Sequence, residues 1–190
     1  MQNISQQELG YVVGIFIGDG YARYDKCNRH HNVDFYLNSI KDGQIIERLF
    51  FILTKSGLNV TTRKDKRYNS IRVRVSSKAF MEFMESKESE LFESTGQNLG
   101  DDYKIGVISG FIDAEGFVGN GEIQLTQRKR ETLLIIKRFC DDLGILTRKF
   151  WSAKNYRTTN LIWRLRISTK FKYAPHNSYK VQRAYGLNSN

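Results

Sequence analysis

Apolar residues follow two periodicities along this chain. In some segments they recur every three or four residues, as on one face of a helix, and in others they alternate with polar residues, as in half-buried strands. Helices are predicted over residues 8–18, 41–56, 78–92, 103–114 and 129–143, and strands over residues 33–38, 59–65, 70–75, 122–126, 148–152 and 160–167. Interpreted coarsely, each half follows the order helix, two strands, helix, two strands, helix, although the pattern gives no bounds for the first strand of either half or for the last helix. This order predicts an α+β protein of two similar units.

Short sequence motifs recur in the second half of the chain in the same order. RVRVSSK recurs as RLRISTK after 92 residues, GIFIGDG recurs as GFIDAEG after 96, and the glycine of SGLNV has a counterpart in LGILT after 87. The order is kept while the spacing drifts, as expected of two copies of one unit that differ in their loops. We therefore predict a first half over residues 1–95, a linker over residues 96–102 and a second half over residues 103–190.

Composition and charge indicate what kind of partner the protein binds. The 190 residues carry 30 Lys and Arg against 20 Asp and Glu, and 40% of them are hydrophobic with a single proline, so disorder is excluded as the main state. Residues 63–78 hold seven basic residues and one acidic residue, and residues 148–172 hold eight and none. Basic segments of this kind, interleaved with Tyr and Trp, favour a polyanion as the partner.

The sequence has no apolar stretch of membrane-spanning length and no signal-peptide pattern. Two cysteines, Cys27 and Cys140, are too few for a disulfide framework. We expect an intracellular protein without a membrane partner. Cys27 also lies close to His30 and His31, but no fourth ligand stands at a usual zinc spacing, so a DNA-contacting loop is favoured there.

Strand alternation places arginine on one face of each predicted sheet. In IRVRV (71–75) and WRLRI (163–167) the arginines point one way and the apolar residues the other. If helices cover the apolar face, the opposite face presents side chains that can bond to base edges and phosphates of a DNA duplex. We expect DNA contacts from Asp34, Tyr36, Asn38, Arg72, Arg74, Gln124, Thr126, Arg164 and Arg166.

The helix that opens each unit carries a stripe of small residues. Small residues recur at intervals of four, as Gly10, Gly14 and Gly18 and as Gly106, Gly110 and Ala114. Because a glycine inside a helix costs about 1 kcal/mol, we predict that the two stripes pack against each other. Asp19 and Glu115 would then meet at the helix ends, where the helix dipoles and mutual repulsion require a cation. A divalent cation with oxygen ligands, such as magnesium, fits this requirement.

The segments VVGIFIGDG (residues 12–20) and ISGFIDAEG (residues 108–116) resemble the paired motifs of the LAGLIDADG homing endonucleases, in the monomeric form with two motifs in one chain. The resemblance extends over nearly all of the chain, because the order of strands and helices after each motif also fits. It implies two pseudo-symmetric αββαββα units that form a DNA-binding saddle of antiparallel sheets, with the motif helices packed at the centre.

By position, the resemblance makes Asp19 and Glu115 the catalytic acids that bind the metal. The carbonyl oxygens of Gly18 and Ala114 are expected as further metal ligands. The activity implied is a magnesium-dependent double-strand break in a long, asymmetric DNA site, and we expect manganese to be able to substitute.

Other motif positions are carried over in the same way. Gln127 matches a catalytic position that organises water near the metal, and its counterpart in the first half is the shorter Ser39. Asp113 stands where the first motif has an isoleucine, so we expect a local structural role for it. Lys78 and Lys170 either supply the basic residue near the scissile phosphate or make plain phosphate contacts.

Three functions remain open from the sequence. The leading hypothesis is an intron-encoded, site-specific homing endonuclease that acts as a monomer. The alternatives are an intron RNA maturase and a non-cleaving nucleic-acid-binding protein on the same scaffold. Acids at both metal positions favour cleavage, because a pure binder gains nothing from their mutual repulsion.

Overall fold

The computed structural model describes residues 3–27, 29–65, 68–93, 99–119, 121–154, 160–168 and 178–185. The first half contains α1 (Gln6–Asp19), β1 (Gly20–Asp25), β2 (His30–Asn38), α2 (Gly43–Lys55), β3 (Val60–Asp65), β4 (Ser70–Ser76) and α3 (Lys78–Glu93). The second half contains α4 (Asp101–Glu115), β5 (Gly116–Gly119), β6 (Glu122–Gln127), α5 (Arg130–Asp142), β7 (Thr147–Lys154), β8 (Leu161–Ser168) and α6 (Tyr179–Tyr185). None of the described helices is long and apolar enough to cross a membrane.

Each half builds one four-stranded antiparallel sheet. The strand order is β1-β2-β4-β3 in the first half and β5-β6-β8-β7 in the second. On one face of each sheet the apolar residues join the core, as Val33, Phe35 and Leu37 of β2 do. The shared topology confirms the predicted α+β fold of two αββαββα units.

The two halves meet along α1 and α4, which form a seam at the centre of the molecule. A Cβ atom added to Gly14 would overlap the carbonyl oxygen of Val107, and one added to Gly110 would overlap the carbonyl oxygen of Tyr11. The helices therefore touch backbone to backbone. The predicted packing of the two small-residue stripes is confirmed.

The pattern of apolar and polar residues does not locate every strand and helix boundary. β1 and β5 directly follow the motif helices, and their short sequences show no regular alternation of apolar and polar residues. α4 begins at Asp101, inside the segment predicted as a linker, and two acids in its first turn favour the positive end of the helix dipole. Residues 96–98 of the predicted linker lie outside the described residues.

Candidate functional site

α1 and α4 end side by side, and each ends in a carboxylate. Asp19 is the last residue of α1, and Glu115 is the last residue of α4. A Cβ added to Gly18 would lie 2.5 Å from the Ala114 Cβ and 3.3 Å from the Glu115 Cγ, so the two helix ends are in direct contact. The seam thus brings together the residues that the sequence analysis assigns to a metal ion.

Both carboxyl groups lie in surroundings that disfavour their charged form. Burial raises the pKa of Asp19 to about 6, against the opposing effect of the Lys180 ammonium. Burial, and then the charge of Asp19, raise the pKa of Glu115 to about 7, against the opposing effects of Lys180 and of a hydrogen bond from Gln127. Neither helix has a basic residue in its last turn to offset its dipole. The donor set, two carboxylates beside helix-terminal carbonyl oxygens, fits a hard divalent cation.

Gln127 is the last residue of β6 and touches the carboxylate pair. Its Nε2 donates a hydrogen bond to Glu115 Oε1 at 3.1 Å, and its Oε1 accepts one from the backbone N–H of Arg128 at 2.7 Å. The counterpart in the first half, Ser39, has a buried hydroxyl oxygen without a hydrogen-bond partner among the described residues. The two carboxylates therefore have unequal surroundings.

Asp113 is fully buried and holds α6 in place. Its carboxylate accepts hydrogen bonds from the hydroxyls of Tyr11 at 2.9 Å and Ser178 at 2.7 Å. It also accepts hydrogen bonds from the backbone N–H groups of Tyr179 at 3.2 Å and Lys180 at 3.0 Å. Burial raises the pKa of Asp113, although these hydrogen bonds act in the opposite direction. This arrangement agrees with the structural role expected for this residue.

Lys180 is a site residue that the sequence analysis misses. Its Nζ donates a hydrogen bond to the carbonyl oxygen of Ala114 at 2.9 Å, and its charge acts on both Asp19 and Glu115. It stands 65 residues after Glu115 and belongs to neither repeated motif, so no local pattern marks it. The sequence offers only an indirect signal for it, because two acids at adjacent helix ends need a positive charge nearby.

The predicted DNA-facing residues pair across the strands of each sheet. In the first sheet Tyr36 lies opposite Arg72, and in the second Gln124 lies opposite Arg166 and Thr126 lies opposite Arg164. Beside the first of these pairs is a groove of about 630 Å³, lined by Tyr36, Arg63, Lys64, Asp65, Tyr68, Ser70 and Arg72. Guanidinium and tyrosine side chains together form a surface suited to a nucleic-acid backbone and its bases.

Asp34 is an exception among these residues, because its carboxylate is covered by arginines and does not lie open on the sheet face. Its side chain is 0% exposed, and Nε and Nη2 of Arg74 donate to its two oxygens at 2.6 and 2.7 Å. The Nε atoms of Arg72 and Arg23 lie 3.9 and 3.8 Å from the same carboxylate. A buried charge needs such partners, so Asp34 orients arginines on the sheet and is itself covered.

In the second sheet, acidic residues and an aromatic ring hold the arginines more loosely. Arg166 Nη1 lies 3.4 Å from Glu122 Oε2, and its guanidinium lies 5.2 Å from the centre of the Trp151 ring. The Arg166 side chain is 42% exposed, against 19% for Arg74. The Nε of Arg164 is buried without a hydrogen-bond partner among the described residues. Arg166 is therefore more accessible than Arg74.

The remaining predicted residues are spread over the two halves. The side-chain oxygen of Asn38 accepts hydrogen bonds from two backbone amides of the turn before α2, so part of this side chain is already engaged. Lys78 lies on α3, 3.5 Å from Glu82, and Lys170 lies outside the described residues. The hairpin of β1 and β2 carries the exposed Cys27 together with His30 and His31.

Comparison with known proteins places this geometry in a known fold. Residues 102–173 match the sequence profile of the LAGLIDADG-like domain. An uncharacterized protein of Methanocaldococcus jannaschii is 27% identical over 141 residues, which are 73% of this chain and 49% of that protein. The chain thus spans about half the length of this curated relative.

Solved structures share the fold over most of the chain. The homing endonuclease I-DmoI in complex with DNA and calcium has a TM-score of 0.67 at 20% identity, over 87% of this chain and 84% of that one. Its complex with DNA and manganese has a TM-score of 0.66 at 19% identity, over 97% and 98% of the two chains. Full-length DUF199/WhiA from Thermatoga maritima has a TM-score of 0.59 at 14% identity, over 90% of this chain and 54% of that one.

Proposed function

Because the chain is a member of the LAGLIDADG family, with the two-sheet fold of I-DmoI, we propose that it is a site-specific homing endonuclease. The reaction proposed is a magnesium-dependent double-strand break in a long, asymmetric DNA site, and an intron is the proposed location of the gene. The observation that carries the proposal is the meeting of Asp19 and Glu115 at one end of the α1–α4 seam. A protein that only binds DNA has no use for two repelling carboxylates at this point.

Each group of residues has a separate part in the proposed reaction. Asp19 and Glu115 would hold the metal, together with the carbonyl oxygens of Gly18 and Ala114. The bound metal would polarise the scissile phosphate and lower the pKa of an attacking water. Gln127 fixes the Glu115 carboxylate and presents an amide to water near it. Magnesium is the expected ion because it is bound by carboxylates together with phosphate oxygens, and manganese is the expected substitute.

The two sheets would position the duplex. Tyr36, Arg72, Gln124, Arg164 and Arg166 stand on the sheet faces, where arginine and amide groups can pair with purine edges or hold phosphates. The basic charge of the chain favours this partner, and the I-DmoI structures with DNA provide a precedent for the fold. Phosphate contacts would set the register, and base contacts would select the site.

The test is a selection of cleaved sites from a genomic or randomised DNA library with magnesium present. Wild-type protein should yield one family of related, non-palindromic sites, and calcium should give a bound but uncut complex. On the selected site, Asp19→Asn and Glu115→Gln should each reduce double-strand cleavage by at least a hundredfold while binding persists. Glu131→Gln, which changes an exposed carboxylate on α5, should cut at the wild-type rate. Sequence-selective binding without any cleavage would contradict the proposal and indicate a non-cleaving nucleic-acid binder.

A further inference from the structure

Lys180 occupies a position at the carboxylate pair that neither repeated motif assigns. Its Nζ lies 2.9 Å from the Ala114 carbonyl oxygen, which is one of the proposed metal ligands. Its charge also acts on Asp19 and Glu115, the two carboxylates of the proposed metal site. The ammonium group and a divalent cation therefore seek the same oxygen atoms.

The backbone of Lys180 is fixed at this position from both halves of the molecule. Its N–H donates to Asp113, and Ser178, two residues earlier, is fully buried. On the same helix, Arg183 donates to the carbonyl oxygen of Lys41 at 2.7 Å, so α6 bridges from the second half to the first. The four-carbon side chain is the flexible part, because it can withdraw from Ala114 while the helix stays in place.

We propose that Lys180 is a tethered cation that competes with the divalent metal ion for the Ala114 carbonyl and the two carboxylates. In this role it is a positioning residue that weakens metal binding to the free protein and stabilises the carboxylate pair in its place. The inference rests on the proposed function, because it takes Asp19, Glu115 and Ala114 to be metal ligands. It goes beyond that function by giving α6 a part in setting the metal affinity.

The test measures manganese binding to the DNA-free protein, with free Mn²⁺ counted by electron paramagnetic resonance. Lys180→Met should bind Mn²⁺ roughly tenfold more tightly than wild type, because it removes one positive charge from the metal position. Lys180→Arg should stay within about threefold of wild type, since it keeps the charge. Arg183→Gln is the matched control, because it also removes one positive charge from α6, at a side chain that contacts the first half. It should change the Mn²⁺ affinity by less than about twofold.

A second readout guards against loss of folding. In EDTA, Lys180→Met should melt below wild type, and Mn²⁺ should raise its melting temperature by more than it raises that of wild type. Lys180→Gln, which keeps a hydrogen-bond donor without the charge, should behave like Lys180→Met and replaces it if that variant does not fold. Equal Mn²⁺ affinity for wild type and both uncharged variants would overturn the inference.

The Mn²⁺ binding experiment distinguishes failure of the proposed function from failure of the role of Lys180. If Asp19→Asn combined with Glu115→Gln binds Mn²⁺ as tightly as wild type, then the carboxylates are not the metal site, and the proposed function fails together with the inference. If that double variant loses Mn²⁺ while Lys180→Met binds it like wild type, then only the role of Lys180 is refuted.

Discussion

Four carboxylates of this protein are buried or half-buried, and the partners of each one decide its role. Asp34 is held by Arg74 and organises one sheet face. Asp113 accepts hydrogen bonds from the start of α6 and organises a helix. Asp19 and Glu115 instead face each other and the lysine of α6, so they are the acids for which a metal ion is the fitting partner.

Stability should fall as the pH rises in the absence of metal. The pKa of Asp19 is raised to about 6 and that of Glu115 to about 7, so between about pH 4 and pH 7 the folded protein binds more protons than the unfolded chain. The free energy of unfolding therefore decreases through this window. Asp19→Asn combined with Glu115→Gln should make the decrease smaller and gain on the order of 2 kcal/mol at pH 8, measured by urea unfolding in EDTA. The raised pKa of Asp113 should account for part of the decrease that remains.

The same experiment has an internal check. Glu131→Gln should retain the decrease of the wild type, because that carboxylate is exposed on α5. A double variant whose stability still falls between pH 4 and pH 7 as in wild type would show that other groups carry the pH dependence.

The arginines of the two sheets should respond differently to truncation. Arg166→Ala should leave folding intact and either relax the preference at one base pair, at a cost of roughly 1–3 kcal/mol in binding, or lower the salt slope by about one unit. Arg74→Ala should destabilise the fold by roughly 2–4 kcal/mol, because it leaves Asp34 buried with weaker partners. Thermal unfolding and DNA titrations at several salt concentrations measure the two effects.

A double variant shows whether the lost stability comes from the buried charge of Asp34. Asp34→Asn added to Arg74→Ala should recover much of the lost stability, because the buried charge is removed together with its partner. No effect of Arg166→Ala on affinity or site preference would contradict the assignment of this sheet face to DNA.

At the scale of helices and strands, the sequence predicts the elements that follow a local pattern of apolar and polar residues. The central strands and the long helices lie within a few residues of their predicted bounds, because burial of one face dictates the alternation. α6 is different, since it depends on hydrogen bonds to Asp113, about 66 residues earlier in the chain. The place of Lys180 at the carboxylate pair follows from that distant anchor, and no periodicity could reveal it. Likewise, the charge pattern indicates that Asp34 lies on the polar face but not that arginines cover it.

The seam sets a strict limit on side-chain size. Gly14→Ala should lower the melting temperature by roughly 4–8 °C, because the added methyl group overlaps the carbonyl oxygen of Val107 and outweighs the better helix propensity of alanine. Gly43→Ala is the matched control, because Gly43 is helical and a Cβ there meets nothing within 4 Å. It should be neutral or slightly stabilising. Equal melting temperatures for the two variants would mean that α1 and α4 are not in the described contact.

The whole molecule is asymmetric in spite of its repeated fold. Gln127 supports Glu115, whereas the counterpart of Gln127 in the first half is Ser39, whose hydroxyl is buried. Lys180 enters the carboxylate pair from the second half. The two halves present different residues on their sheets as well, so a palindromic target is not required.

We expect one chain to bind one duplex. Both motif helices are in the same chain and already pack against each other, so no second copy is needed to complete the carboxylate pair. Sedimentation of the protein with a selected site in calcium should give the mass of one chain per duplex. Two chains per duplex would contradict this arrangement.

The backbone contacts of the seam also bear on how such a molecule can change over evolutionary time. Because the peptide groups of α1 and α4 are in contact, the residues along the seam must stay small, and little else is required of them. Among the described residues, the strands of each sheet pair only with strands of the same half, so substitutions on one sheet face need no matching change on the other. After an ancestral duplication, each half could therefore drift toward its own half of a target while the joint between them was inherited unchanged.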